Sequence, residues 1–176
     1  MQRIPVEPLT DSAFAPFGDV IQTEGRPSYP INQGTTQRFH ALARVQVHGT
    51  QACAGISLAR GDAFSYPIHI TMLERHPKGS QAWIPRAAVP TAKGGQAAPY
   101  FLVVVAPNGA NDKPDESGLR AFLARPDQGV NYRQGTWHHP LLSFDQPGEF
   151  VVVDRIADDA NCEECTLGQV YVIDGS

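Results

Sequence analysis

Residues 68–85 of this chain, IHITMLERHPKGSQAWIP, contain the clearest indication of its fold. Residues 68–76 are rich in the β-branched and apolar side chains that favour strands, and residues 81–85 form a second short run of the same kind. Pro77 and Gly79 lie between the two runs, where they favour a turn over a continued strand. The stretch therefore predicts two strands joined by a short connection.

The first of these strands also predicts the position of a polar site. Because alternate side chains on a strand share a face, Ile70 and Met72 are expected to point the same way as Glu74 and His76. Apolar residues that lead into polar ones are typical of a strand whose middle lines a core and whose end reaches the mouth of that core. On the returning strand, Gln81 is expected beside His76.

Short β-prone runs recur along the rest of the chain, separated by many of its 16 Gly and 15 Pro residues. The further strand candidates are residues 45–48, 55–59, 100–106, 119–124, 130–132, 138–144, 149–155 and 169–173. No amphipathic pattern of helical length separates these runs, which disfavours a parallel sheet with crossover helices. We therefore predict an all-β fold, either a sandwich or a barrel.

The two ends of the chain carry weaker patterns. Residues 9–14 predict one short N-terminal helix, capped by Thr10 or Asp11. Residues 158–176 are expected to form a weakly ordered tail that contains one strand. No composition shift marks a boundary, so residues 1–176 are predicted to form one domain.

A second polar segment, GTWHHP at residues 135–140, also places imidazoles next to a turn. Thr136 and His138 are expected on one face of a strand and His139 on the other, so only one of the adjacent histidines easily reaches a given cavity. We expect it to be His138. Oxygen and nitrogen ligands of this kind suit a divalent metal. The candidate ligand set is Glu74, His76, Gln81 and His138.

Composition excludes several classes of function. Hydrophobic residues make up 41% of the chain and charged residues 18%, which is typical of a globular protein. The net charge of -4 and the absence of a basic run argue against nucleic acid as a partner. No apolar run approaches the roughly 18 residues of a membrane helix. Since the N-terminus lacks the apolar core of a signal peptide, we expect a cytoplasmic location.

The three cysteines, Cys53, Cys162 and Cys165, do not suggest a disulfide framework. Their number is odd and no signal peptide precedes them. Cys162 and Cys165 have the spacing of half a zinc site, but the chain has no second pair of this kind. We therefore expect free thiols.

The two polar segments resemble the paired motifs of the cupins. Glu74, His76 and Gln81 have the spacing of the ligands in the first cupin motif, and Gly135 precedes His138 as in the second. Glu74 stands where that motif usually has His, and Gln81 stands where it usually has Glu. The resemblance implies a cupin-like jelly roll, as a β-barrel or sandwich.

Longer stretches resemble the ureidoglycolate lyase family of allantoin breakdown. They are residues 17–21 (FGDVI), 73–85 (LERHPKGSQAWIP), 112–115 (DKPD) and 129–141 (GVNYRQGTWHHPL), with shorter matches at 31–34, 38–40 and 119–122. The resemblance implies a small cupin homodimer that splits ureidoglycolate into glyoxylate and urea, with a divalent metal such as nickel. Residues 90–99 resemble an insertion for this family.

The implied reaction suggests roles for particular residues. Elimination removes a hydroxyl proton and protonates the departing nitrogen, so it needs a general base and a general acid, and a metal would acidify the hydroxyl. The resemblance implies the four candidate ligands as the metal shell. Arg38 is the first candidate cation for the substrate carboxylate. The candidate catalytic residues are His138, Lys113 (as an acid or second anion contact) and Tyr132 (as a donor to the leaving nitrogen).

Two other functions stay open on the sequence alone. One is a cupin isomerase or dioxygenase acting on another small carboxylic acid, which bound iron and oxygen uptake would favour. The other is a non-catalytic cupin that binds a small carboxylate. Each candidate residue also has an ordinary structural alternative, such as core packing for Tyr132 or a turn charge for Lys113.

Overall fold

The computed structural model describes residues 1–88 and 100–175, and their secondary structure is almost entirely β. Within these ranges one short α-helix, α1, spans Asp11–Phe14. The strands are β1 (Gln2–Arg3), β2 (Val6–Pro8), β3 (Gly18–Ile21), β4 (Tyr29–Ile31), β5 (Thr36–Arg38), β6 (Cys53–Gly61), β7 (Ala63–Phe64), β8 (Ile68–Arg75), β9 (Gln81–Ala88), β10 (Tyr100–Ala106), β11 (Arg120–Ala124), β12 (Gly129–Tyr132), β13 (Trp137–His138), β14 (Leu142–Phe144), β15 (Gly148–Ile156) and β16 (Glu163–Ile173). The predicted all-β class and N-terminal helix are confirmed.

These strands form two large sheets and one small hairpin. The larger sheet has nine strands in the order β1-β16-β8-β13-β10-β11-β2, with β14 beside β10 and β7 beside β14. The smaller has five strands in the order β3-β12-β9-β15-β6, and β4 pairs with β5 alone. Neither sheet closes on itself, so the molecule is a cupin-like sandwich rather than a closed barrel.

The core lies on both faces of β10. Residues 101–106 of this strand are all buried, as expected for a central strand covered on both sides. Phe101, Val103 and Val105 contact Phe122 and Phe150 between the two sheets. The alternate residues of β10 face a second cluster on the other side of the larger sheet. This rigid strand pairs with β13, and so supports the second polar segment.

The helix α1 begins where the sequence predicts. The Thr10 side chain accepts a hydrogen bond from the backbone N–H of Ala13 at 3.2 Å, which caps the first turn. Phe14 is completely buried and meets Phe122 edge-on, with ring centroids 5.9 Å apart. Capping and this single aromatic anchor are sufficient for a helix of one turn because packing rather than length stabilises it.

The prediction of a weakly ordered tail over residues 158–176 is wrong, although the strand predicted at residues 169–173 lies within β16. Glu163–Ile173 form β16, which lies between β1 and β8 inside the larger sheet. Its apolar residues Leu167, Tyr171 and Ile173 are buried in the second core cluster. The acidic residues at the start of β16 obscured the first half of this strand, because a charged run resembles a solvated loop.

Two further strand predictions need correction. Residues 45–48 do not form a strand, and only Val47 makes an isolated bridge, to Gly79. Residues 138–144 form two strands, β13 and β14, instead of one. Pro140 lies between them and has no N–H to continue the hydrogen-bond ladder.

The prediction that Ile70 and Met72 share a buried face of β8 is wrong. Ile70 and Leu73, rather than Ile70 and Met72, are fully buried in the same core cluster. The pairing of β8 with β16 shifts register between Thr166 and Tyr171, and this irregularity changes which residues share a face. A bulge of this kind depends on the partner strand, so the sequence of β8 alone does not reveal it.

The expected insertion at residues 90–99 lies outside the described residues. No helix among the described ranges is long and apolar enough to cross a membrane.

Candidate metal centre

The structure brings the two polar segments together at the ends of adjacent strands. Glu74 on β8 and His138 on β13 are direct partners in the antiparallel pair. His138 Nε2 lies 3.6 Å from a carboxylate oxygen of Glu74, and the rings of His138 and His76 are 5.3 Å apart. One ligand atom from each of the three residues lies within 4.8 Å of the others.

A tight turn holds the second segment against the first. The backbone N–H of Gly135 donates to the carbonyl of His76 at 2.9 Å, and the Gln134 side chain donates to the carbonyl of Pro77 at 2.7 Å. Gly135 has a φ of 74°, a conformation that favours glycine. The turn therefore places His138 opposite Glu74.

Both histidines present an unpaired nitrogen to the site. His76 Nδ1 bonds the carbonyl of Asn161 and His138 Nδ1 bonds that of Thr136, each at 2.8 Å. A carbonyl only accepts, so Nδ1 carries a proton in each ring, and Nε2 of the neutral ring has a free lone pair. Both Nε2 atoms are buried and find no hydrogen-bond partner among the described residues. Imidazoles oriented in this way are typical metal ligands.

The electrostatics of Glu74 and His138 also fit a cation. The facing imidazole of His138 lowers the pKa of Glu74, against the opposing effect of partial burial. Burial lowers the pKa of His138, so its ring is neutral at pH 7. An ionised carboxylate and a neutral imidazole are the protonation states that divalent metals require. The residues present therefore fit the metal that the cupin resemblance implies.

Tyr132 reaches the same site from the smaller sheet. Its ring stacks on His138 with centroids 4.0 Å apart and an interplanar angle of 12°. Burial raises the pKa of the Tyr132 hydroxyl, and the Glu74 charge raises it further. The hydroxyl therefore keeps its proton at neutral pH, and it has no hydrogen-bond partner among the described residues.

Gln81 lies next to Tyr132, its partner in the pairing of β9 with β12. Partners in an antiparallel pair share a face, so Gln81 borders the site. Its side-chain oxygen accepts from Trp83 Nε1 at 2.8 Å, and its amide nitrogen faces Asp154 at 3.4 Å. The oxygen that would bind a metal is thus engaged with Trp83 in this structure.

Arg38 and Lys113 are not brought into contact with the three ligands. Arg38 is exposed at the end of β5, in the separate hairpin. Lys113 is exposed in the loop before β11, and its neighbour Asp112 bonds Arg75. Arg75 stacks over Trp137, whose side chain lies on the face of β13 opposite His138. Neither Arg38 nor Lys113 forms an ion pair among the described residues.

The structure also separates the adjacent histidines. His138 belongs to the ligand group, whereas His139 Nδ1 bonds the carbonyl of Pro140. Sequence reasoning missed the contribution of the segment before β16. Asn161 bonds His76, and the Cys162 thiol lies 3.7 Å from Glu74. The two cysteines of the Cys-x-x-Cys pair were the available signal, and both are free thiols.

The fold and the site define the chain as a cupin-type β-sandwich with a candidate metal centre of two imidazoles and one carboxylate. The family model described as ureidoglycolate lyase matches residues 1–174, so the chain belongs to the ureidoglycolate lyase family.

Curated relatives agree with this assignment. The chain is similar to a ureidoglycolate lyase of Brucella melitensis, with 52% identity over 164 residues, 93% of this chain and 89% of the relative. It is also similar to the ureidoglycolate lyase of Pseudomonas savastanoi pv. phaseolicola, with 48% identity over the same shares. A third relative of that name, from Brucella anthropi, is 49% identical.

Proposed function

We propose that this protein is a lyase that cleaves ureidoglycolate into glyoxylate and urea. The observation that carries the proposal is the group Glu74, His76 and His138, with two buried and unpaired Nε2 atoms, in a chain of the ureidoglycolate lyase family. The substrate carries a hydroxyl, a carboxylate and a urea nitrogen on one carbon. Breaking the bond from this carbon to nitrogen yields the two products when the hydroxyl loses a proton to become a carbonyl and the departing nitrogen gains one.

The metal shell we propose is Glu74, His76 and His138, joined by Gln81. A divalent ion, for which we propose nickel, would acidify the substrate hydroxyl and stabilise its developing negative charge. His76 and His138 would bind through Nε2, since each Nδ1 is committed to a carbonyl. Gln81 would join the shell only after its oxygen leaves Trp83, so we expect it to be the weakest ligand.

Tyr132 is the proposed general acid. Its raised pKa keeps the proton on the phenolic oxygen, and its stacking on His138 holds the ring at the site. A donor is needed because the departing urea nitrogen must gain a proton as the bond breaks. We propose that Lys113 takes part in this proton balance as an acid or anion contact. His138 would act by holding the metal that acidifies the substrate hydroxyl, because its Nδ1 is bonded to the carbonyl of Thr136.

Arg38 is the proposed contact of the substrate carboxylate. Its guanidinium forms no ion pair among the described residues, so it is free to bind an anion. A planar guanidinium can hold a carboxylate through two parallel hydrogen bonds. Its place on an exposed hairpin means that it would approach the site from outside the sandwich.

The direct test is to supply ureidoglycolate and measure glyoxylate and urea, with and without added Ni²⁺ or Mn²⁺. We expect release of both products faster than the spontaneous decay. No acceleration under any of these conditions would contradict the proposal. Release of ammonia and carbon dioxide in place of urea would indicate hydrolysis of the amide instead.

We further propose a cytoplasmic homodimer that pairs through β6. This strand is at the edge of the five-stranded sheet, and its residues Ile56 and Leu58 are 77% and 61% exposed. Residues 53–59 carry no charge that would oppose pairing with another strand. Antiparallel pairing about Ser57 would place Ile56 opposite Leu58 of a second copy.

A further inference from the structure

The segment before β16 contacts His76 and Lys78, which lie on either side of Pro77. The carbonyl of Asn161 accepts a hydrogen bond from His76 Nδ1 at 2.8 Å. The side-chain oxygen of Asn161 accepts from the backbone N–H of Lys78 at 2.7 Å. One residue therefore holds the chain on both sides of Pro77, which has no N–H of its own.

The next residue contacts the carboxylate of the site. The Cys162 thiol donates to Oε2 of Glu74 at 3.7 Å, a normal length for sulfur. The other oxygen, Oε1, faces His138 Nε2. The two oxygens of Glu74 thus have different neighbours.

Ion pairs of Asp159 hold the segment before β16 in place. The Lys78 ammonium lies 2.7 Å from a carboxylate oxygen of Asp159 and donates to the carbonyl of Ala160 at 2.9 Å. Asp159 also bonds the guanidinium of Arg155. Because the Arg155 side chain is only 1% exposed, it is a rigid anchor. The carbonyl of Asn161 is therefore held in place.

We propose that Asn161 and Cys162 are positioning residues of this site. Asn161 holds His76 in the tautomer with the proton on Nδ1, so that Nε2 faces the site with a free lone pair. Cys162 orients Glu74 so that Oε1 faces His138. The inference rests on the proposed function for its effect on turnover, but the tautomer of His76 can be measured independently of turnover.

The test compares Asn161→Ala with Asn161→Asp in the full-length protein. Asn161→Asp keeps an oxygen acceptor for the Lys78 N–H, and Asn161→Ala removes it. Asp158→Ala, an exposed neighbour, controls for a general change in the segment. Imidazole ¹⁵N shifts report the His76 tautomer in the metal-free protein, and glyoxylate release reports kcat/KM.

Asn161→Ala keeps the backbone carbonyl that bonds His76 but removes the side-chain oxygen that anchors this carbonyl to the Lys78 N–H. We therefore expect a mixed tautomer and a loss of about 10-fold in kcat/KM, the usual effect of disturbing a partner of a ligand histidine. Asn161→Asp should recover most of this loss, and Asp158→Ala should match the wild type. An unchanged tautomer in Asn161→Ala would overturn the inference for His76, whatever the value of kcat/KM. If the wild type releases no glyoxylate, the proposed function is wrong, and the tautomer still decides the positioning role.

A second pair of variants tests Glu74 and serves if Asn161→Ala does not fold. Cys162→Ser keeps a donor for Oε2, and Cys162→Ala does not. We expect lower affinity for Ni²⁺, titrated calorimetrically into the metal-free protein, in Cys162→Ala but not in Cys162→Ser. Equal affinity in both variants and the wild type, or no Ni²⁺ binding by any of them, would overturn the role of Cys162.

Discussion

Replacement of Tyr132 by Phe isolates the hydroxyl of the proposed general acid. The variant keeps the ring, and so keeps the stack on His138 at 4.0 Å. The hydroxyl has no hydrogen-bond partner among the described residues, so we expect the free energy of unfolding to change by no more than about 1 kcal/mol. Any large loss of activity would then come from the missing proton donor.

The expected loss follows from the size of general acid catalysis. Such a group contributes about 10²–10⁴-fold in rate, which equals about 2.7–5.5 kcal/mol at about 1.36 kcal/mol for each factor of ten. We therefore expect kcat for glyoxylate release to fall by about two to four orders of magnitude in Tyr132→Phe. KM should change little, because the hydroxyl acts in the transition state.

Tyr171→Phe is the matched control. The Tyr171 hydroxyl donates to Glu116 at 3.0 Å, and its ring lies in the cluster on the other side of the larger sheet. Its loss should lower stability by about 1 kcal/mol and leave kcat unchanged. If Tyr132→Phe keeps kcat within about threefold of the wild type, far less than a general acid provides, Tyr132 is not the acid.

Three other predictions follow from the site and the fold. His138→Ala should lose at least about 100-fold in turnover while far-UV circular dichroism stays unchanged; turnover close to the wild-type value would exclude His138 from the site. Lys78 and Arg155 lower the pKa of Asp159 from 3.8 to about 2, so its contribution to stability is complete above pH 3.8 and lost as the pH falls to about 2. Asp159→Asn should therefore be less stable than the wild type at pH 5, with the difference vanishing near pH 2, and a pH-independent difference in denaturant titrations would contradict this. Leu58→Lys should give a monomer in sedimentation measurements, with Ser57→Thr as a control that adds no charge; a wild type that is itself monomeric would contradict pairing through β6.

The short range of the β patterns explains why much of the fold is predictable. β10 coincides with residues 100–106 because a continuous apolar run of that length is typical of a strand buried on both faces. The cap at Thr10 is equally local. By contrast, the first half of β16 begins with Glu163 and Glu164, and its identity as a strand depends on pairing with β8. No local pattern carries that information.

The candidate site likewise combines features that the sequence predicts with features that it does not. The alternation of side chains selects His138 over His139 from the sequence, and the structure includes only His138 in the ligand group. The contacts of Asn161 and Cys162 come from a segment about 85 residues away along the chain, as the separation of His76 and Asn161 shows. Contacts over such distances have no periodic signature, and so they were not predictable.

The sequence by itself determined the class of fold, the two polar segments and the resemblance to a family, because each depends on spacing along the chain. Only the tertiary structure decided that Glu74 and His138 face each other, that both Nε2 atoms are unpaired, and that Gln81 is engaged with Trp83. Those properties depend on strand register and on the hydrogen bonds that each side chain forms, and both arise only when distant strands pair.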